Sequence, residues 1–217
     1  MVFLMKNFKE YVYTSGETED YTTTMLIDNY IKNNDNSVGW DYDIVKAISE
    51  EDVEKIKELS FYKVVDLDSF IKLSDGNIGI DEELTPLMIA SSMKKTKSIR
   101  ALVRCGVDVN TKDNIGNNAL SMVAMESNGI KAMEELISHG IDINVVNLNG
   151  DSIVGLAFDG KHYKETEFLL KNGAKVFYVE IASFEQKLDK KIIDMIYDTN
   201  QIVDLDNWKG RNDLKNT

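Results

Sequence analysis

Gly106, Gly140 and Gly173 stand 34 and 33 residues apart, and each closes a segment of the same form. The segments are Ile99–Arg100–Ala101–Leu102–Val103–Arg104–Cys105–Gly106, Met133–Glu134–Glu135–Leu136–Ile137–Ser138–His139–Gly140 and Thr166–Glu167–Phe168–Leu169–Leu170–Lys171–Asn172–Gly173. A period of this size marks a repeat array, in which no unit buries its apolar face alone and neighbours must stack. Such arrays present an extended surface rather than a buried catalytic pocket. The period therefore points to a binding module before any single residue is considered.

Other columns keep the register. A short apolar segment precedes each glycine, starting at Thr85, Asn118 and Ser152, again 33 and 34 residues apart. Each of these three residues carries a side-chain oxygen able to accept from free N–H groups at a helix start. Pro86, the chain's single proline, falls in the first turn, where proline is tolerated. Leu102/Val103, Leu136/Ile137 and Leu169/Leu170 form the apolar stripe of a second helix, completed by Ile99 or Met133 at i, i+3, i+4 spacing. Glycine suits the left-handed residue that closes such a helix. Before the second and third units, Asp113–Asn114–Ile115–Gly116 and Asn147–Leu148–Asn149–Gly150 read as tight tips.

Together these columns resemble the ankyrin repeat over roughly residues 80–177. The resemblance implies an all-α solenoid of stacked antiparallel helix pairs with short β-hairpin tips. The first unit departs from it: Ile80–Asp81–Glu82–Glu83 stands where an Asp-x-x-Gly tip belongs, which predicts an irregular or missing hairpin. The second unit has one extra residue near Ser127–Asn128–Gly129, and the third ends in Lys175 and Phe177, as at the end of the hairpin series.

The flanks complete the expected organisation. Residues 1–40 form an extension, with a helix over 20–33 around Met25, Leu26, Tyr30 and Ile31. Residues 41–79 form a degenerate leading unit and a connection. There Ser49 and Asp52 cap a second helix, Val53, Ile56 and Leu59 face inward, and Phe61, Tyr62, Val64 and Val65 pack. Residues 178–205 form closing helices around Ser183–Gln186 and Lys191–Tyr197, because terminal units need altered outer faces. Residues 206–217 read as a frayed tail.

Composition narrows the class. The single cysteine, Cys105, excludes an intrachain disulfide, and beside a helix-ending glycine it reads as a packing residue. The first charge arrives at Lys6, too early for a signal peptide, and no segment approaches the ~20 apolar residues of a membrane span. A cytoplasmic location is expected, in the producing cell or in a host. The net charge of −12 repels phosphate backbones, so nucleic acid is not expected as a ligand. The same charge is read first as serving solubility and, as the alternative, as steering a basic protein partner.

Catalytic chemistry finds little footing. His139 sits where a cation suits a helix C-terminus, and His162 falls between helices. Two histidines and one cysteine in separate units make no zinc set. Asp75–Gly76–Asn77–Ile78–Gly79–Ile80–Asp81 fails as a calcium loop, since the sixth position is not glycine and Pro86 occupies the twelfth. No enzyme activity, cofactor or metal is expected.

The resemblance implies recognition of a protein partner through the tips and the inner face of the first helices; the chain is expected to be monomeric on its own. Carried over residue by residue, the candidate contacts are Glu82 and Glu83 before the first unit, and Lys112, Asn114, Ile115 and Asn117 on the first full tip. Leu148, Asn149 and Asp151 lie on the next tip, and Ser92, Met93, Met125 and Glu126 near the ends of first helices. Ile115, Leu148 and the two methionines are the expected anchors, because exposed apolar groups mark contact sites and methionine adapts to irregular surfaces. The functions these residues suit are an interaction module, an inhibitor or immunity protein masking a basic toxin or nuclease, or a structural subunit of a constitutive assembly.

Overall fold

The computed structural model describes residues 23–34, 39–62, 66–75 and 80–177, and beyond them 180, 184, 188–198 and 202–203. Four helix pairs follow one another. They are α2 (Trp40–Glu50) with α3 (Val53–Phe61), α4 (Pro86–Ser92) with α5 (Thr96–Arg104), α6 (Ala119–Ala124) with α7 (Ile130–Ser138), and α8 (Ile153–Asp159) with α9 (Tyr163–Lys171). The first helices α2, α4, α6 and α8 stack in that order, as do the second helices α3, α5, α7 and α9. One continuous core runs through the pairs, with Ile48, Ile56, Ile89, Leu102, Leu120, Leu136 and Leu169 fully buried.

The capping positions hold as expected. Thr85 Oγ1 accepts from Met88 N at 3.3 Å, Asn118 Oδ1 from Leu120 N and Ser121 N at 3.1 Å each, and Ser152 Oγ from Gly155 N at 2.8 Å. Gly106, Gly140 and Gly173 close the second helices at φ of 93°, 81° and 87°, in the left-handed region where a Cβ would be strained. A second positive-φ column was not legible. Glu51, Lys94, Asn128 and Lys161 turn the chain between the helices of each pair at φ of 55–62°. The extra residue of the α6/α7 unit is accommodated in this connection, which spans 125–129 there and 93–95 and 160–162 in its neighbours.

A ladder of side-chain acceptors ties each unit to the next. Asp68 Oδ1 accepts from Asp108 N at 2.9 Å, Asn110 Oδ1 from Asp142 N at 2.7 Å, and Asn144 Oδ1 from Lys175 N at 2.8 Å. Asn110 and Asn144, 34 residues apart, thus repeat one structural role, with Asp68 standing in for asparagine ahead of them. Such bonds satisfy loop N–H groups that helices cannot reach.

Three expectations need correction. The hairpin before α4 is not missing, and its two strands pair in regular register, while its connection, residues 76–79, lies outside the described residues. Strands β1 (Ile71–Asp75) and β2 (Ile80–Leu84) pair antiparallel over five residues each, with Ile71 opposite Leu84 and Leu73 opposite Glu82. Alternation of buried Ile71 and Leu73 with exposed Lys72 and Ser74 replaces the Asp-x-x-Gly signal. Phe61 and Tyr62 do not pack inward: they are 80% and 66% exposed, edge-on to each other at a ring-centroid distance of 5.3 Å. They lie at the end of α3, past the last inward position at Leu59; Val64 and Val65 lie outside the described residues. Ser49 does not cap α3, because its hydroxyl donates back to Lys46 O at 2.8 Å; Asp52 alone accepts from Lys55 N at 3.0 Å.

Helix α1 (Thr23–Asn33) forms as expected and packs against β1, α2 and α4, burying Leu26 and Ile27. At the other end β3 (Val176–Phe177) pairs in parallel with β4 (Ile202–Val203), and α10 (Lys190–Asp198) packs on α9. Phe158 stacks against Phe184 at 4.4 Å and closes the core. The expected closing helix at Ser183–Gln186 falls largely outside the described residues, as do 1–22 and 204–217.

Candidate functional site

Each tip is held by one side chain at its first position. Asp113 Oδ1 accepts from Ile115 N and Asn117 N at 3.0 and 2.8 Å, and Asn147 Oδ1 accepts from Asn149 N and Asp151 N at 3.0 and 2.9 Å. These are Asx turns, in which a short side chain replaces a strand partner. A single bridge, Val146 with Ser152, accompanies the second. The tips are also joined to each other: Leu148 N donates to Ile115 O at 2.8 Å. The exposed side chains of Ile115 and Leu148 therefore stand on adjoining turns, 37% and 78% exposed. Lys112, Asn114 and Asn149 are exposed beside them, and Asp151 is half-buried with its carboxylate taking a bond from Asn147 Nδ2 at 3.2 Å.

A second row lies at the other end of the first helices. Met93 and Met125 occupy the C-cap positions of α4 and α6, helices that pack on each other. Met125 is exposed, whereas Met93 is half-buried against the core. Glu126 is engaged by Lys94 Nζ at 3.4 Å, a pair that links the two connections, and His162 Nε2 lies 3.1 Å from the Met125 carbonyl. A helix of six or seven residues is about 10 Å long, so the tip row and the methionine row are separated by roughly that span.

Between these rows the expected first-helix surface is absent. Every residue of α4 and α6 is buried. Ser92 is fully buried, with Thr24 Oγ1 of α1 3.1 Å from its carbonyl, so it is not a free contact. Asn117 is also buried, its Oδ1 taking a bond from Asn147 Nδ2 at 3.3 Å; it holds the tips together instead of presenting a side chain outward. Glu82 is half-buried beneath α1, with Thr23 Oγ1 3.5 Å from its carboxylate, whereas Glu83 is exposed on β2 opposite Lys72. Thr23, Thr24, Leu26 and Ile27 were missed as site-shaping residues. Their pattern signals a helix but not what the helix covers.

The tip side carries a crowded acidic field. Burial raises the Glu82 carboxyl above its ordinary range, and the charge of Asp113 adds to that despite the Thr23 bond. Burial likewise raises Asp113 against the pull of its own backbone bonds. Glu180 is raised by burial, and further by Asp159 and Asp151, although Phe177 N and Ser152 Oγ both donate to it, at 2.8 and 2.7 Å. Glu135, on the second-helix face, runs the other way: the Arg100 guanidinium bonds it in two places and holds its carboxyl low, with His139 3.1 Å away.

The pH dependence follows by linkage. Where the folded carboxyl binds its proton more tightly than the unfolded one, stability falls as pH rises from the ordinary carboxylate value through the raised one. Glu82, Asp113 and Glu180 act in this sense; Glu135 acts oppositely, its contribution being lost only as pH falls below the ordinary range. The melting temperature should therefore rise on going from about pH 7 to about pH 5. Glu180→Gln, which keeps an acceptor for Phe177 N, should flatten that rise. Melts across the range check it, and an unchanged slope in the variant would remove Glu180 from the account.

Among the described residues no group of three or more His, Cys, Asp or Glu is placed to hold a metal ion, and no helix is long and apolar enough to cross a membrane. Residues 76–79, the middle of the rejected calcium loop, lie outside the described residues. Residues 44–147 match the family model described as Ankyrin repeats (3 copies). The match begins inside α2, so it includes the leading pair that the sequence columns rank as degenerate, and it ends at the tip before α8. No curated protein matches the chain.

Proposed function

Residues 44–147 are ankyrin repeats, and from that premise we propose that the chain is a non-catalytic module that binds a protein partner through its tips and the methionine-bearing ends of its first helices. Ankyrin repeats are in general protein–protein interaction modules. The observation that carries the finer assignment is the pair Ile115 and Leu148, two exposed aliphatic side chains on tips that are hydrogen-bonded to each other. Large apolar groups held outward on rigid turns remain exposed at a cost to solubility, and that cost is offset where they meet a partner. Met125 supplies an adaptable contact on the far row.

The partner that suits this face is basic. Glu83, Asp113 and Asp151 lie along the tip side of a chain of net charge −12, and opposed potentials speed encounter between partners. An inhibitor that masks a basic protein would use the same charges; a subunit of a permanent assembly would bury the same tips.

The test is comparative capture. The full chain and its Leu148→Glu variant are used as baits in extract, and association of the captured protein is then followed by surface kinetics. Leu148→Glu should weaken binding tenfold or more, about 1.4 kcal/mol, because an unpaired charge would be desolvated at the contact. Its melting temperature should stay near the parent's, since Leu148 contributes little to the core. Equal binding by the folded variant would move the site off the tips.

A further inference from the structure

Helix α1 belongs to none of the four pairs, yet it is seated against β1, α2 and α4. That location is a groove with the β1–β2 hairpin on one side and the first helices of the leading two units on the other. Leu26 and Ile27 are fully buried in it, and Tyr30 and Ile31 pack half-buried on the same core. Polar contacts gather at the first turn of α1. Thr24 Oγ1 donates to Ser92 O at 3.1 Å and lies 3.5 Å from Ser92 Oγ, and Thr23 Oγ1 lies 3.5 Å from Glu82 Oε1.

We propose that this groove is a helix-binding site whose resident occupant is the chain's own α1, and that a partner helix of the same chemistry binds there by displacing it. The occupant shows what the groove recognises. An adjacent aliphatic pair fills the apolar floor, and an aromatic ring follows one turn later. A hydroxyl in the first turn reaches the carbonyl of Ser92, one of the last carbonyls of α4 and so without an intrahelical partner. Glu82 lies at the positive end of the α1 dipole, where a carboxylate is favoured. A displacing helix would thus present its N-terminus, with a hydroxyl or basic side chain, toward Glu82.

Departure of α1 breaks no repeat pair. It is joined to α2 through residues 34–39 and contributes no helix to the α2/α3 or α4/α5 unit. Tethering on so short a connection holds it at a high effective concentration, which lowers the apparent affinity of any competitor. This site is distinct from the tips, and the inference stands whether or not they bind a partner.

The probe is a labelled peptide of residues 20–36 of this chain, added to full-length protein. In the Leu26→Asp/Ile27→Asp variant the tethered helix cannot seat, and the peptide should bind at least tenfold more tightly than it does to the parent. Leu148→Glu should leave peptide binding at the parent level, so that the fate of the tip assignment is read separately. A folded double variant that binds the peptide no better than the parent would overturn the proposal. Hydrogen exchange on the unmodified chain decides independently of how the variant folds. The amides of α1 should exchange through an opening that leaves α6 protected; exchange of α1 only together with α6 would mean that the helix never leaves short of global unfolding, and would overturn the proposal equally.

Discussion

Leu136→Ala should remove about 2–5 kcal/mol of stability, the range for deleting a fully buried leucine and leaving a cavity behind. Leu136 lies on α7 with no exposed surface, in a unit flanked by helix pairs on both sides. In a linear array, stability is the sum of unit terms and nearest-neighbour interfaces. A cavity in the α6/α7 unit therefore weakens its contacts with α4/α5 and with α8/α9 together. Against a total of roughly 5–15 kcal/mol for a typical domain, the loss is a large fraction. Urea unfolding should show a clear drop in midpoint, and Leu136→Met, which keeps most of the volume, should cost less than about 1.5 kcal/mol. A midpoint equal to the parent's would mean that the second-helix register is misassigned.

Asn118→Ala should be the most damaging polar substitution, at about 2–3 kcal/mol. Asn118 is fully buried and acts in two places. Its Oδ1 caps α6, with Ser121 Oγ reciprocating toward Asn118 N at 3.4 Å, and its Nδ2 donates to Asp142 O at 2.9 Å in the following unit. Loss of a cap costs about 0.5–2 kcal/mol, and loss of the bond to the carbonyl of Asp142, an exposed residue, costs about 0.5–1.5 kcal/mol more. Asn118→Ser keeps the cap but not the donor, so its thermal melt should fall between the parent and Asn118→Ala. If serine restored the parent's stability in full, the bond to Asp142 would carry no weight.

Both positions were legible because their signals are local. A helix-closing glycine, a capping side chain three residues before the N–H it serves, and an apolar stripe at i, i+3, i+4 each express geometry within one turn. The period then multiplies that local signal across units. The β1–β2 hairpin was not found for a related reason: its turn lacks the Asp-x-x-Gly signature, and the alternating Ile71–Lys72–Leu73–Ser74 run is too short to stand out against helical neighbours. The expectation that Phe61 and Tyr62 pack rested on their apolar character, and hydrophobic residues are not obliged to lie inside.

The candidate face divides along the same line. Ile115 and Leu148 could be placed at turn apices from their own neighbours, because an Asx turn is complete within five residues. Ser92, Asn117 and Glu82 could not be judged that way. What covers Ser92 and Glu82 is α1, 68 and 59 residues earlier in the chain, and what engages Asn117 is Asn147, 30 residues later. Glu180 belongs with them, since its raised proton affinity depends on burial and on Asp151 and Asp159 from another unit.

By itself the sequence determined the repeating helix pair, its caps, its closing glycines and the outward direction of the tips, all set by short-range sterics and hydrogen bonding. Which first-helix residues remain open to a partner was decided only by tertiary structure. Stacking buries α4 and α6 completely, and α1 folds back over the leading units, because an apolar helix face is driven out of water against whatever complementary surface the assembled array provides.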